Sequence, residues 1–189
     1  MAGIIDMIIQ IDEKLFTLIN GIQLIPFVES ILTYWRNAYV WGPLYTFIIA
    51  FAVFNFKNHA KWFIIFSLLT VSSTDFVSSK VIKTNVQRLR PCNTEQLEVI
   101  NRVQCSTGYS FTSSHATNHF GLAAFWIFTL SFINRKFKTI LWVWAAIIGF
   151  CQVFVGVHFP LDVLTGGILG TLIGWGYAQL FNNYYQVAQ

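Results

Sequence analysis

Apolar residues gather into long runs that polar residues interrupt only at intervals. Five windows approach or reach the length a bilayer demands, at residues 39–56, 62–82, 116–133, 139–157 and 161–181, since a hydrocarbon layer about 30 Å thick takes roughly 20 residues of helix. A weaker sixth lies at 15–35, where Asn20, Pro26 and Glu29 break the run, so that it either spans or lies in the interface. The pattern predicts an all-α, polytopic membrane bundle of six transmembrane helices, built as one domain over residues 1–189. In the last window Gly166, Gly170 and Gly174 recur every four residues. Such a face permits close helix packing, in the bundle interior or in a dimer.

Charge sets the expected orientation. Lys57 and Lys61 flank one connection, Arg135, Lys136 and Lys138 fill another, and neither contains an acidic residue. Cytoplasmic loops attract Lys and Arg, so both loops and, with six spans, both termini are expected in the cytoplasm. The segment Met1–Lys14 mixes Asp6, Asp12, Glu13 and Lys14 with isoleucines and shows no signal-peptide pattern. A composition 55% apolar and 11% charged, with net charge +4, fits a membrane protein. No aromatic-basic stretch lies outside the spans, which argues against nucleic acid as a partner.

Three polar clusters stand on these apolar segments: Lys83–Pro91, Thr112–His115 and His158–Asp162. Counting spans places all three on one face, the outer one. Lys83 and Arg90 are seven residues apart, nearly two helical turns, and share a face if the helix reaches Arg90; Pro91 suggests that it ends there. The two cations either snorkel to headgroups or clamp a phosphate. Thr112, Ser113 and Ser114 suit a helix cap, and a helix N-terminus offers free amides to an anion. His115 beside that anion can protonate a leaving oxygen. Pro160 suits a first helical position, which lets His158 and Asp162 approach. A carboxylate on one imidazole nitrogen leaves the other free to attack. Asn118 and His119 read as polar packing contacts. Asp75, Ser79 and Lys83 form a polar stripe suited to an interhelical hydrogen bond or to supporting Lys83.

In this order the clusters resemble the type 2 phosphatidic acid phosphatase family of integral membrane lipid phosphatases. Its first motif, Lys, six residues, Arg-Pro, is complete at Lys83, Arg90 and Pro91. The second, Pro-Ser-Gly-His, appears as Thr112-Ser113-Ser114-His115, and the third, Ser-Arg, five residues, His, three residues, Asp, runs from Cys151 to Asp162. The resemblance implies that His158 is a nucleophile forming a phosphohistidine, that Asp162 orients it, and that His115 protonates the leaving group. Lys83, Arg90 and Ser113 would hold the phosphate oxygens, with Ser114 and Gln152 at the same sites in departed form. Cations and amides balance the charge, so no metal or other cofactor is expected.

Gln152 stands where the family places a phosphate-binding arginine, and Ser114 replaces its glycine. A neutral donor is roughly half as strong as a charged one, so weaker phosphate binding is expected unless another cation substitutes. Arg88 and Arg102 are the candidates, although a solvated loop charge describes either as well. Cys92 and Cys105, on the oxidising face, can form a disulfide or remain two thiols; Cys151 reads as packing. The expected substrate is undecaprenyl diphosphate at the outer face of a bacterial inner membrane. Phosphatidylglycerophosphate, phosphatidate and lipid A are alternatives, and a lipid phosphotransferase or transporter is a further reading.

Overall fold

The computed structural model describes residues 2–130 and 133–185. Eight α-helices follow in order: α1 (Ala2–Asn20), α2 (Pro26–Trp35), α3 (Gly42–Phe56), α4 (Ala60–Phe76), α5 (Lys83–Val86), α6 (Ser114–Thr129), α7 (Arg135–Phe154) and α8 (Pro160–Tyr184). A π-helical stretch, Val77–Ile82, joins α4 to α5. Pro26 and Pro160 begin α2 and α8; the lost amide of proline costs nothing at that position. Asn134 caps α7 by accepting from Lys136 N at 2.9 Å.

By length and composition, three helical stretches among the described residues can cross a membrane: Ala38–Phe56, Ala60–Asn93 and Arg135–Phe154. The windows expected at 116–133 and 161–181 form α6 and α8; residues 131–132 of the former lie outside the described residues. α6 sits at the centre, packed against α4, α7 and α8, with Ala116, Ala123, Ala124 and Phe125 fully buried. It meets α8 through glycine. A Cβ at Gly170 or Gly174 would collide with the carbonyl oxygen of Thr117 or Gly121, so the glycine face serves the interior of this bundle. At its far end Phe63, Phe66 and Phe125 each meet Phe181 edge to face, and Tyr185 meets Phe66 the same way.

The window expected at 15–35 is not one helix. The chain breaks at Gly21–Ile25, and α1 begins well before residue 15. Asp12 accepts from Leu161 N, in the first turn of α8, at 2.8 Å, and Asn20 donates to Phe154 O, in the last turn of α7, at 3.0 Å. Both anchors belong to the same end of the bundle, so α1 crosses that end instead of running through it. Phe16 is buried against Phe159, ring centroids 5.4 Å apart, while Ile4, Ile5, Ile8 and Ile11 face outward. One buried stripe and one exposed apolar face suit a helix in the bilayer interface.

Candidate active site

The three polar clusters meet at the end of the bundle that α1 crosses. They surround a cavity of about 400 Å³ lined by Arg36, Lys83, Arg90, Ser114, His115, Gln152 and His158. Gln104, Ser106 and Tyr109, from the loop before α6, form part of the wall.

His158 reaches the cavity because α7 ends in a tight turn. Gly156, at φ +92°, adopts a backbone conformation that costs glycine little, and a side chain there would press on Val99 and Ile100 O. The amides of Val157 and His158 then both donate to Gln152 O at 3.2 Å, which sets the imidazole beside Gln152. Arg90 Nη1 lies 3.2 Å from His158 Nε2. A guanidinium only donates, so Nε2 accepts and the ring proton sits on Nδ1. That nitrogen is 3.5 Å from Asp162 Oδ2, longer than a formed hydrogen bond and within reach of a small closure. Burial pushes the His158 pKa down to about 4, against the opposing pull of Asp162.

Asp162 is itself held from three sides. Its Oδ2 accepts from Phe159 N at 2.9 Å, its Oδ1 from Arg88 Nη1 at 2.8 Å, and its carbonyl from Ser113 N at 3.0 Å. The last bond ties the start of α6 to the start of α8. Ser113 is buried, and its hydroxyl accepts from Ala116 N at 3.4 Å as the cap of α6; Ser114 faces the cavity. Ser114 Oγ also meets Ser78 Oγ and Ser79 Oγ at 3.0 and 2.9 Å, and Ser79 donates to Asp75 at 3.2 Å. The polar stripe therefore hydrogen-bonds α6, and its Asp75 reaches Lys83 through its charge and not through a hydrogen bond among the described residues.

Lys83 and Arg90 converge by a different route from helical spacing. The helix stops at Val86, four residues before Arg90, with Gln87 at φ +53°, and the chain doubles back. Lys83 Nζ donates to Tyr109 O at 2.9 Å; Arg90 donates from Nε to Gly108 O at 2.8 Å and from Nη1 to Val157 O at 3.0 Å. These carbonyls aim the cations and do not neutralise them. Cys92 and Cys105 are joined, Cα–Cα 6.0 Å, which closes the loop that begins just after Arg90.

Neither arginine proposed to replace the family's third cation enters the cavity. Arg88 bridges Asp162 and Asp12 and lies 3.9 Å from the centre of the Phe159 ring. Arg102 pairs with Glu29 at 2.9 Å and donates to Asn20 O and Phe154 O, both at 2.8 Å. Both are structural ion pairs instead of solvated charges, because carboxylates on α1, α2 and α8 capture them. The cation that does enter is Arg36, which the sequence motifs did not indicate. Its Nη1 donates to Gln152 Oε1 at 3.3 Å, and burial lowers its pKa. Its sequence signal was an arginine following an apolar segment, 116 residues from its partner, a pairing that no local spacing reveals. Asn118 and His119 pack as expected: Asn118 accepts from Thr74 at 2.8 Å, and His119 lies 2.7 Å from His115 O and 3.3 Å from Tyr45 Oη.

The profile of the PAP2 superfamily matches residues 60–186. The chain is 30% identical over 176 residues to the lipid A 4'-phosphatase of Bacteroides thetaiotaomicron, covering 90% of this chain and 77% of that protein. It is 29% identical over 170 residues to the undecaprenyl-diphosphatase of Sulfolobus acidocaldarius, covering 88% and 77%. The crystal structure of Aquifex aeolicus LpxE is similar with a TM-score of 0.70 at 25% identity, over 88% of this chain and 93% of that one.

Proposed function

This chain belongs to the PAP2 superfamily of membrane-embedded lipid phosphatases, and from that premise we propose that it hydrolyses the phosphomonoester of a glycolipid such as lipid A. The site would face outward from a bacterial inner membrane. The order of substrates differs from that expected from the motifs alone, where undecaprenyl diphosphate came first. Two features support the change. Gln104, Ser106 and Tyr109 in the cavity wall suit sugar hydroxyls, which a polyprenyl diphosphate lacks, and the Bacteroides relative carries the lipid A name over nine-tenths of this chain. Undecaprenyl diphosphate is the second reading, supported by the Sulfolobus relative.

The observation that carries the reaction is the setting of His158, with Nδ1 turned to buried Asp162 and Nε2 turned to Arg90 in the cavity. Nε2 attacks phosphorus, and the bond to the lipid oxygen breaks with its electron pair leaving on that oxygen. Burial and the nearby cations disfavour a protonated His115 before phosphate binds; the arriving phosphate offsets them, and His115 then supplies the proton that makes the lipid oxygen an alcohol. Water then attacks the phosphohistidine, His115 takes the water's proton, and inorganic phosphate leaves with His158 restored. Lys83 and Arg90 offset the charge on the transferred group, together with the free amides at the start of α6.

Phosphate release by purified wild type and His158→Ala, from lipid A, undecaprenyl diphosphate, phosphatidylglycerophosphate and phosphatidate, tests this. Release that is fastest from lipid A and vanishes in the variant is expected. Equal release by a folded His158→Ala protein would remove the nucleophile, and faster turnover of undecaprenyl diphosphate would promote the second reading.

A further inference from the structure

We infer that Arg36 and Gln152 act as one unit that binds the transferring phosphoryl group, a cation from the segment after α2 aimed by a neutral side chain of α7. The inference rests on the reading of the cavity as a phosphate site. Three cations line this cavity, Arg36, Lys83 and Arg90, and among the described residues no carboxylate lies within ion-pair distance of any of them. Asp162 acts on Lys83 and Arg90 only from beyond ion-pair distance, and Arg36 feels no carboxylate among the described residues; cations so gathered repel one another and lose hydration, and an anion that arrives from outside balances them.

Arg36 is the cation least committed to the protein. Lys83 and Arg90 donate to backbone carbonyls, whereas among the described residues Arg36 makes one side-chain hydrogen bond, to Gln152 Oε1. Arg36 Nε and Gln152 Nε2 are both buried with no partner among the described residues. Two buried donors without acceptors, side by side at one cavity, are costly unless a ligand supplies the oxygens. Gln152 is fully buried, so its amide cannot swing away to water. Its oxygen is taken by Arg36, and the remaining N–H group is left for the ligand.

Aromatic packing fixes the backbone that presents Arg36. Trp41 Nε1 donates to Trp35 O at 2.7 Å. The two indoles meet edge to face at 4.7 Å, and Trp41 meets Trp144 of α7 at 5.7 Å. Gln152 lies on that same helix, so the guanidinium and its aiming group share one support. The charge that a side chain at position 152 does not carry enters the cavity from residue 36.

The test moves the charge back. Orthovanadate, which adopts the geometry of the transferring phosphoryl group, is titrated into wild type, Arg36→Gln, Gln152→Arg and the double variant Arg36→Gln/Gln152→Arg, each checked by its melting temperature. Arg36→Gln is expected to weaken vanadate binding by about ten- to a hundredfold and to lower kcat/KM for lipid phosphate with it. The double variant, with a cation at 152 again, is expected to recover most of both. Arg36→Met removes the charge but keeps an apolar stem against its neighbours and carries the test if Arg36→Gln does not fold; binding as tight as wild type would then overturn the inference. Vanadate binding that Arg36→Gln leaves unchanged, or a folded double variant no better than Arg36→Gln, also overturns it while leaving the phosphate site in place. A wild type that binds no vanadate defeats the phosphate site and the inference together.

Discussion

Arg88 donates to Asp162 at 2.8 Å and is held in turn by Asp12 of α1 at 2.7 Å, so the carboxylate facing His158 is tied to a helix lying across the end of the bundle. Asp162 is fully buried, and breaking a buried pair leaves a charge without compensation. Arg88→Ala is expected to lose about 3 kcal/mol of stability and most of the phosphatase activity. Asp12→Asn keeps the Arg88–Asp162 pair and is expected to cost less in both. Chemical denaturation in detergent and phosphate release measure the two effects, and equal losses for the two variants would show that the Arg88–Asp162 pair contributes nothing beyond the Arg88–Asp12 pair.

Glycines of α8 should separate sharply by position. At Gly170 a Cβ collides with Thr117 O, and at Gly176 nothing lies within 4 Å. Gly170→Ala is expected to destabilise the protein by at least about 2 kcal/mol, since backbone cannot yield as a side chain can. Gly176→Ala is expected to be neutral or to gain up to about 1 kcal/mol from helix propensity. Melting temperatures of both variants decide between interior packing and a dimer face: a folded Gly170→Ala protein that only changes oligomeric size would assign the stripe to a dimer.

Cys92 and Cys105 close a loop of sequence separation 13, which in the chain-entropy model is worth about 3 kcal/mol. Replacing both with serine should lower stability by up to that amount and raise KM more than it lowers kcat, because Arg90 precedes the bridge by two residues. The intact protein should resist thiol alkylation at these positions until it is reduced, as read by mass.

His158 sets an expected acid limit. Its pKa in the folded protein, about 4, lies below the ordinary 6.5 because burial favours the neutral ring. A depressed folded value means that the unfolded chain takes up the proton first. The contribution to stability is therefore complete above pH 6.5 and declines as pH falls toward about 4. Wild type should lose more stability than His158→Gln between those values, and parallel losses would show that the ring is not buried neutral.

The grouping of Lys83, Arg90, Ser114, His115, Gln152 and His158 around one cavity was legible because each sits near the end of an apolar run. Spacing along the chain then assigns a membrane face. The exact means of convergence was not. Lys83 and Arg90 meet through a loop that folds back after Val86, and their seven-residue interval plays no part. Ser113 and Ser114 are adjacent in sequence, yet one caps the helix and the other lines the cavity, a division decided by which way each points once α6 is docked on α8.

The sequence by itself determined the apolar segments, the polar residues at their ends and the chemistry those residues can perform, because the bilayer length and the helical period act locally. Tertiary structure alone decided what the remaining charges do. Arg88 and Arg102 were drawn to Asp12, Asp162 and Glu29, while Arg36 was left without a carboxylate partner among the described residues and placed against Gln152. An ion pair forms with whichever opposite charge packing brings within about 4 Å, and separation along the chain carries no trace of that distance.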